Sequence, residues 1–349
     1  MTAPLRVGVI GVGTMGADHA ERLAHRIAGA ELVAVSDPDT ARAEQLAARF
    51  DGVRSVADPL DLVASEDVDA VLIASPGRVH EEQVLACLEH GRYTLCEKPL
   101  TMDSESSLRV VEAEQKGGRP LVQVGFMRRF DPDYARMKTV LDSGELGRTL
   151  LLHNVHRNKS VPDPSFRSEM IVRDSLVHEV DVARFLFGQE VTEVTVLSPA
   201  PTRAAQPGVV DPQVALFRME GGGLVTSEVF VNSQVGYEVR CEAVAERGTV
   251  TVGRNGAGLS TTRATGDSAA GPGLWGGVVP GDYRERFATA YDLEVQAWVD
   301  ASRRGEVVGP TTWDGYAATA VCEAGMESLR TGSPVRVELA DRAALSGAR

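Results

Sequence analysis

The run Leu5-Arg-Val-Gly-Val-Ile-Gly-Val-Gly-Thr-Met-Gly16 decides the fold. An apolar strand ends at Ile10, and Gly11-Val-Gly-Thr-Met-Gly16 then opens a stretch, 17–28, in which Ala and Leu recur at helical spacing. In a chain with 35 glycines a bare GxGxxG says little. Its place between a strand and a helix gives it weight. Gly11 permits a tight turn, Gly13 lets backbone approach a pyrophosphate, and Gly16 lets the helix pack closely on the strand. Thr14 and Met15 complete the loop, and the helix N-terminus supplies N–H groups and the positive end of a dipole. The next apolar strand ends at Ser36-Asp37, about twenty residues further on. A carboxylate there accepts hydrogen bonds from the adenosine ribose and repels a 2′-phosphate, which predicts NAD in preference to NADP. Arg42 softens that discrimination, and Asp37 also suits the N-cap of a helix beginning near Asp39.

Outward from this loop, the first 125 residues alternate short apolar runs with helical patterns. Leu5–Ile10, Glu31–Ser36, Ala70–Ala74, Tyr93–Cys96 and Leu121–Val124 read as buried strands, and 17–28, 39–50, 79–90 and 103–117 as helices. Strand–helix alternation with short connections implies right-handed crossovers and a parallel sheet covered on both faces, a doubly wound α/β domain over 1–125. The texture then changes. A helix near 132–142, a strand at Thr149–His156 and a helix from about 171 to 187 precede consecutive strand-like runs at 192–198, 213–219, 223–232, 236–245 and 248–253. Strands without intervening helices predict an open, mainly antiparallel sheet in a second α+β domain over 126–349. The stretch 253–281, rich in Gly, Ser and Thr, reads as a loop or weak hairpin. Helical segments at about 284–304 and 313–330 and a last strand at 335–338 follow.

Composition removes whole classes of function. With 36 basic against 49 acidic side chains the formal charge is −13, so the chain has no general attraction for phosphate backbones or anionic lipid. No signal-like leader and no apolar run of spanning length is visible. The four cysteines are scattered without a CxxC pair, which argues against a disulfide framework or a zinc site and fits a reducing cytoplasm.

Two segments beyond the loop carry chemistry. Strand Tyr93–Cys96 runs into Glu97-Lys98-Pro99-Leu100, at the sheet edge where doubly wound folds bind ligands. A lysine there can donate to a substrate hydroxyl and favour a developing alkoxide; the alternative is a solvated surface lysine. The second segment is Ile171-Val-Arg-Asp174-Ser-Leu-Val-His178-Glu-Val-Asp181, in which Asp174, His178 and Asp181 form one polar stripe on a largely apolar helix. A carboxylate one turn away can orient an imidazole, and alcohol oxidation needs a base to take the hydroxyl proton as hydride leaves carbon. A hydrogen-bonded structural histidine is the competing reading. No histidine or cysteine cluster suggests a metal.

Taken together, the early GxGxxG, Cys96-Glu-Lys-Pro-Leu100 and the Asp-x-x-x-His-x-x-Asp helix resemble the Gfo/Idh/MocA oxidoreductase family over nearly the whole chain. Leu121-Val-Gln-Val-Gly-Phe-Met-Arg-Arg-Phe-Asp-Pro132, His156-Arg-Asn158, Asp211-Pro-Gln213, Gly236-Tyr237 and Ala290-Tyr-Asp-Leu-Glu294 are similar to the inositol-oxidising branch of that family, as is Gly309-Pro-Thr-Thr-Trp-Asp-Gly-Tyr316. The resemblance implies a catalytic set of Lys98, Asp174 and His178. It implies substrate contacts from Lys98, Arg128, His156, Asn158, Asp174, His178, Asp181 and Tyr237, a polyol substrate and a homotetramer built through the open sheet. Nucleotide contacts are expected from Gly11, Gly13, Thr14, Met15, Gly16, Asp37, Ser75, Pro76, His80, Glu97 and Lys98. The expected reaction is NAD-dependent oxidation of an inositol ring hydroxyl.

The chain also departs from the pattern. Ser75-Pro76-Gly77 stands where Ser-Trp-Gly is usual, Ser175 where threonine is common, and 159–169 and 253–281 diverge. These departures leave hydride chemistry intact and keep open another cyclitol, an amino-cyclitol or an aldose as substrate. An NAD-dependent glycosidase and a non-catalytic dinucleotide sensor are the rival classes.

Overall fold

The computed structural model describes residues 3–161, 163–253 and 280–347. Most of the Gly-rich stretch at 253–281 lies outside the described residues.

The chain opens with β1 (Leu5–Ile10), α1 (Thr14–His25), β2 (Ala30–Ser36), α2 (Thr40–Ala47), β3 (Arg54–Val56), α3 (Pro59–Ala64), β4 (Ala70–Ile73), α4 (His80–Glu89), β5 (Tyr93–Glu97), α5 (Ser104–Lys116) and β6 (Val122–Gly125). The six strands form one parallel sheet in the order β3-β2-β1-β4-β5-β6. The order reverses between β1 and β4, the switch point at which doubly wound sheets open a crevice at their C-terminal ends. Near-continuous apolar runs make these strands: Val7, Val9, Val71, Leu72 and Ile73 are all buried, as a sheet covered on both faces requires. Strand β3 and helix α3 were not expected. Arg54-Ser-Val56 is too short and polar to signal a strand, and it pairs with its neighbour β2. The edge strand β6 is protected. The buried Glu114 carboxylate accepts from the N–H groups of Leu121 and Val122, both at 2.8 Å, and from the Thr312 hydroxyl at 2.6 Å.

The rest of the chain comprises α6 (Pro132–Asp142), β7 (Thr149–Arg157), α7 (Ser168–Met170), a π-helical turn at Ile171–Leu176, α8 (Val177–Phe187), β8 (Val191–Leu197), β9 (Gln213–Met219), β10 (Leu224–Phe230), β11 (Glu238–Ala245), β12 (Gly248–Val252), α9 (Tyr283–Arg286), α10 (Ala288–Arg304), α11 (Thr312–Thr331), β13 (Val335–Arg336) and α12 (Arg342–Gly347). Seven strands form the second sheet, β12-β11-β7-β10-β9-β8-β13. Every pairing in it is antiparallel except β10 with β7. Along β9, β10 and β11 buried residues alternate with more exposed ones, so one face is packed and the other open. The four cysteines are all buried. No helix among the described residues is long and apolar enough to cross a membrane.

Two compact units emerge, and they interleave along the sequence instead of meeting at a single cut near 125. One comprises residues 1–130, 289–319 and 339–349; the other comprises 131–288 and 320–338. The reason is visible in the first core, where Val295, Trp298 and Val299 of α10 pack with Leu5, Val7, Leu23 and Leu32.

Candidate active site

In the N-terminal unit the phosphate loop has the geometry its glycines suggest. Gly11 has φ +83°, and a Cβ on it would lie 2.4 Å from the Ser75 nitrogen, so the turn must press on the strand next to it. A Cβ on Gly16 would lie 1.7 Å from the Gly11 carbonyl oxygen. Gly13 differs: among the described residues nothing lies within 4 Å of its Cβ position. Gly13 is the N-cap of α1 and no side chain among the described residues caps that helix end, which leaves the first-turn N–H groups around Thr14, Met15 and Gly16 for an anion. An open position at the middle glycine beside an uncapped helix start fits a pyrophosphate.

Asp37, buried at the end of β2, accepts from the Val12 N–H at 2.8 Å and the Asp39 N–H at 2.9 Å. It therefore braces the glycine loop itself. The cap of α2 is Asp39, whose side chain accepts from the Arg42 N–H at 3.1 Å. Arg42 also reaches to 3.8 Å from the Asp37 carboxylate, the neighbourhood in which it would soften a preference against NADP.

Around the β4 and β5 ends, the expected residues fall into one bonded group. Pro76 is the N-cap of a 3-10 turn at Gly77–Val79, and the Ser75 hydroxyl donates to Gln83 Oε1 at 2.6 Å. His80 is buried, with Nε2 at 2.7 Å from the Ser75 carbonyl oxygen and Nδ1 at 2.9 Å from that of Pro99. The expected nucleotide contact at His80 thus meets a ring whose two nitrogens both face backbone. Burial pushes its pKa down, against the raising effect of those carbonyls. Glu97 is also buried. Burial opposes its charge, but the hydrogen bond from His19 Nε2 at 2.9 Å and the nearby Lys98 charge outweigh that and hold its carboxyl below the usual range. Lys98 is half-buried, and Arg128, on a 3-10 turn at Met127–Phe130, is fully buried.

In the second unit His156, His178 and Tyr237 come together although they lie on β7, α8 and the approach to β11. The His156 ring centroid is 6.1 Å from that of His178 and 5.6 Å from that of Tyr237, both edge-on. His156 Nδ1 is 3.2 Å from Glu179 Oε2, and both side chains are buried. Asn158 follows on the same chain segment; its backbone N–H bonds Phe230, and its side-chain oxygen is buried without a hydrogen-bond partner among the described residues. Asp181 is buried on α8. Asp174 lies outside the regular α-helix expected for 171–187. It sits in the π-helical turn, with its carboxylate held by the Arg173 guanidinium at 2.7 and 2.9 Å. π turns occur often at functional sites, because the extra residue re-aims the side chains around it.

Sequence reasoning missed His19, Gln83 and Glu179. A glutamate after His178 reads as a solvated helix residue, and nothing local betrays that it is fully buried against a strand. For His19 the only available signal was its place on the packed face of α1, one turn after Gly16.

The N-terminal part, residues 5–126, matches the description of an oxidoreductase family with an NAD-binding Rossmann fold, and residues 134–251 match the GFO/IDH/MocA C-terminal domain. The chain is 53% identical to an inositol 2-dehydrogenase of Mycolicibacterium smegmatis over 99% of both chains. Among solved structures it resembles myo-inositol dehydrogenase from Lactobacillus casei in complex with NAD(H) and myo-inositol, with a TM-score of 0.89, 32% identity and coverage of 98% of this chain and 99% of the other. The scyllo-inositol dehydrogenase of the same organism, with NAD(H) and scyllo-inositol bound, gives a TM-score of 0.85 at 26% identity, covering 96% and 99%. With its glycine loop, parallel sheet and open second sheet all in place, this chain belongs to the GFO/IDH/MocA family of NAD-binding oxidoreductases.

Proposed function

We propose that the protein is an NAD-dependent dehydrogenase that oxidises a ring hydroxyl of an inositol to the corresponding ketone. The observation that carries this reading is the full-length likeness to an inositol 2-dehydrogenase at 53% identity, over a chain that keeps Lys98, Asp174 and His178. The loop Gly11–Gly16 and Asp37 would hold NAD, which supplies the hydride acceptor when bound. His178 removes the hydroxyl proton as general base, and Lys98 donates a hydrogen bond to the same oxygen. Asp174 supplies negative charge near the base, and the buried polar atoms of His156, Asn158, Asp181 and Tyr237 contact the remaining ring hydroxyls. Arg128 belongs to the same substrate set.

A test is NAD reduction across a panel of inositol stereoisomers, amino-cyclitols and hexoses. Turnover should be highest with an inositol; highest turnover with an amino-cyclitol or a hexose would replace the substrate while keeping the chemistry. Substrate cleavage with no net NADH would replace the class. His178→Ala should lower kcat by ~10²–10⁴ with NAD affinity nearly unchanged. Wild-type turnover in that variant would remove His178 from the base role.

We assign the protein to the cytoplasm and infer a homotetramer formed through the open sheet face. Along that face Leu197 is 48% exposed, Leu216 39% and Leu224 43%, on three adjacent strands. Large apolar side chains grouped on one sheet face favour burial against a like surface. Leu216→Arg should therefore lower the mass seen by light scattering, and an unchanged tetramer mass would place the interface elsewhere.

A further inference from the structure

The two residues that flank Lys98 are each tied down by a buried histidine from a different helix. On the upstream side, His19 of α1 donates from Nε2 to Glu97 Oε1 at 2.9 Å. The proton position follows from chemistry. Arg22 Nη1 lies 3.3 Å from His19 Nδ1, and a guanidinium can only donate, so Nδ1 accepts and Nε2 carries the hydrogen. Glu97 Oε2 in turn accepts from the Lys98 N–H at 3.3 Å. The carboxylate is pressed against β6, where a Cβ on Gly125 would lie 3.1 Å from both the Cα and Oε2 of Glu97. Arg22 is itself fixed by Asp18 at 2.8 Å and Asp292 at 2.6 Å, so the chain of bonds ends on rigid helices.

On the downstream side, His80 of α4 stands between the carbonyl oxygens of Pro99 and Ser75 at 2.9 and 2.7 Å. A neutral ring has one N–H and donates to one of the two carbonyls, and a ring protonated on both nitrogens donates to both. The loops themselves meet: a Cβ on Gly77 would lie 3.3 Å from the Pro99 ring and 2.9 Å from Met102 Sδ. Neither histidine has a place in the hydride chemistry proposed above.

We propose that His19 and His80 are positioning residues that clamp the backbone on both sides of Lys98, through Glu97 and Pro99, and so fix the direction in which its ammonium group donates. The inference rests on the dehydrogenase reading of Lys98. Its physical content is that a four-carbon lysine stem delivers its charge usefully only if its root does not move. Displacement of about 1 Å at a reacting centre is enough to cost ~10²-fold in rate.

The test is a pair of double-mutant cycles, His80→Gln and His19→Gln, each made in the wild-type and the Lys98→Met chains. Steady-state kinetics and NAD titration are measured on all six proteins. Each histidine variant should lower kcat roughly 10–100-fold in the wild-type chain, with NAD affinity and substrate KM little changed. In the Lys98→Met chain the same substitution should cost about twofold or less, because the group it aims is gone. Equal losses in both backgrounds, or losses that appear in NAD affinity or KM instead of kcat, overturn the clamp. Wild-type turnover in Lys98→Met alone overturns the role of Lys98 and the clamp together, an outcome distinct from an impaired Lys98→Met with additive histidine effects. Circular dichroism and thermal unfolding report folding; if one histidine variant does not fold, the cycle with the other decides.

Discussion

A methyl group on Gly16 would stand 1.7 Å from the Gly11 carbonyl oxygen, whereas one on Gly13 would meet nothing within 4 Å among the described residues. The two alanine variants therefore separate folding from binding. Gly16→Ala cannot be accommodated without moving backbone, and both thermal stability and NAD binding should fall. Gly13 has φ −68° and ψ −161°, which alanine adopts freely, so Gly13→Ala should keep or gain about 0.4–1 kcal/mol of stability. Its NAD affinity should drop all the same, because the space lost is where pyrophosphate approaches. Calorimetry with NAD titration checks both, and wild-type NAD affinity in Gly13→Ala would move the nucleotide away from the loop. At this scale the sequence is most readable where one residue type has one reason to be present, as with the glycines. Asp37 was only half readable. Its position at the strand end was evident, but its bond to the Val12 N–H, across 25 positions, exists only once β1 and β2 lie side by side.

Among elements, the segment from Ile171 to Phe187 shows where periodicity stops being informative. The apolar pattern predicts a helix correctly, yet a π turn and an α-helix offer nearly the same pattern over one turn, and the structure has both. The helix also carries a buried carboxylate that no spacing rule marks. Glu179, fully buried on α8, faces His156 of β7 at 3.2 Å, and this pair links helix to sheet in the second unit. Removing one member of a buried polar pair strands the other away from water. Glu179→Ala should thus cost ~1–3 kcal/mol in denaturant unfolding and raise the substrate KM as the His156 ring loses its anchor. Glu179→Gln, which keeps an acceptor oxygen, should lose less on both counts. Equal stability of all three proteins would show that the pair holds nothing together. Strand β3 and helix α12 went unread for the opposite reason: each is short, and its pairing or packing depends on neighbours distant in sequence.

At the level of the whole molecule, two buried groups tie stability to pH. Burial lowers the pKa of His80, so the unfolded chain binds a proton there more readily than the native one. Stability tied to this ring is present above the ordinary histidine range of about 6.5 and is lost as pH falls from there toward the lowered native value. Glu97 adds a second stage: its carboxyl is held down in the native state, so its contribution is complete above about 4.3 and disappears as pH drops through the native pKa. Urea unfolding between pH 7 and 4 should show stability declining from near pH 6.5, with a shallower decline in His80→Gln. A flat profile would contradict the buried neutral ring. The parallel sheet and the mixed sheet were both legible from alternation and strand density, because those patterns are properties of contiguous sequence. What contiguous sequence does not announce is that α10 returns to the first core, with Trp298 among its most deeply buried side chains. A ribosome adding ~5–20 residues per second must work for roughly 15–60 s before that tryptophan emerges, so the nucleotide-binding half is synthesised first yet finished late. Until then Leu5, Val7, Leu23 and Leu32 lack the apolar partners that Val295, Trp298 and Val299 supply in the finished core.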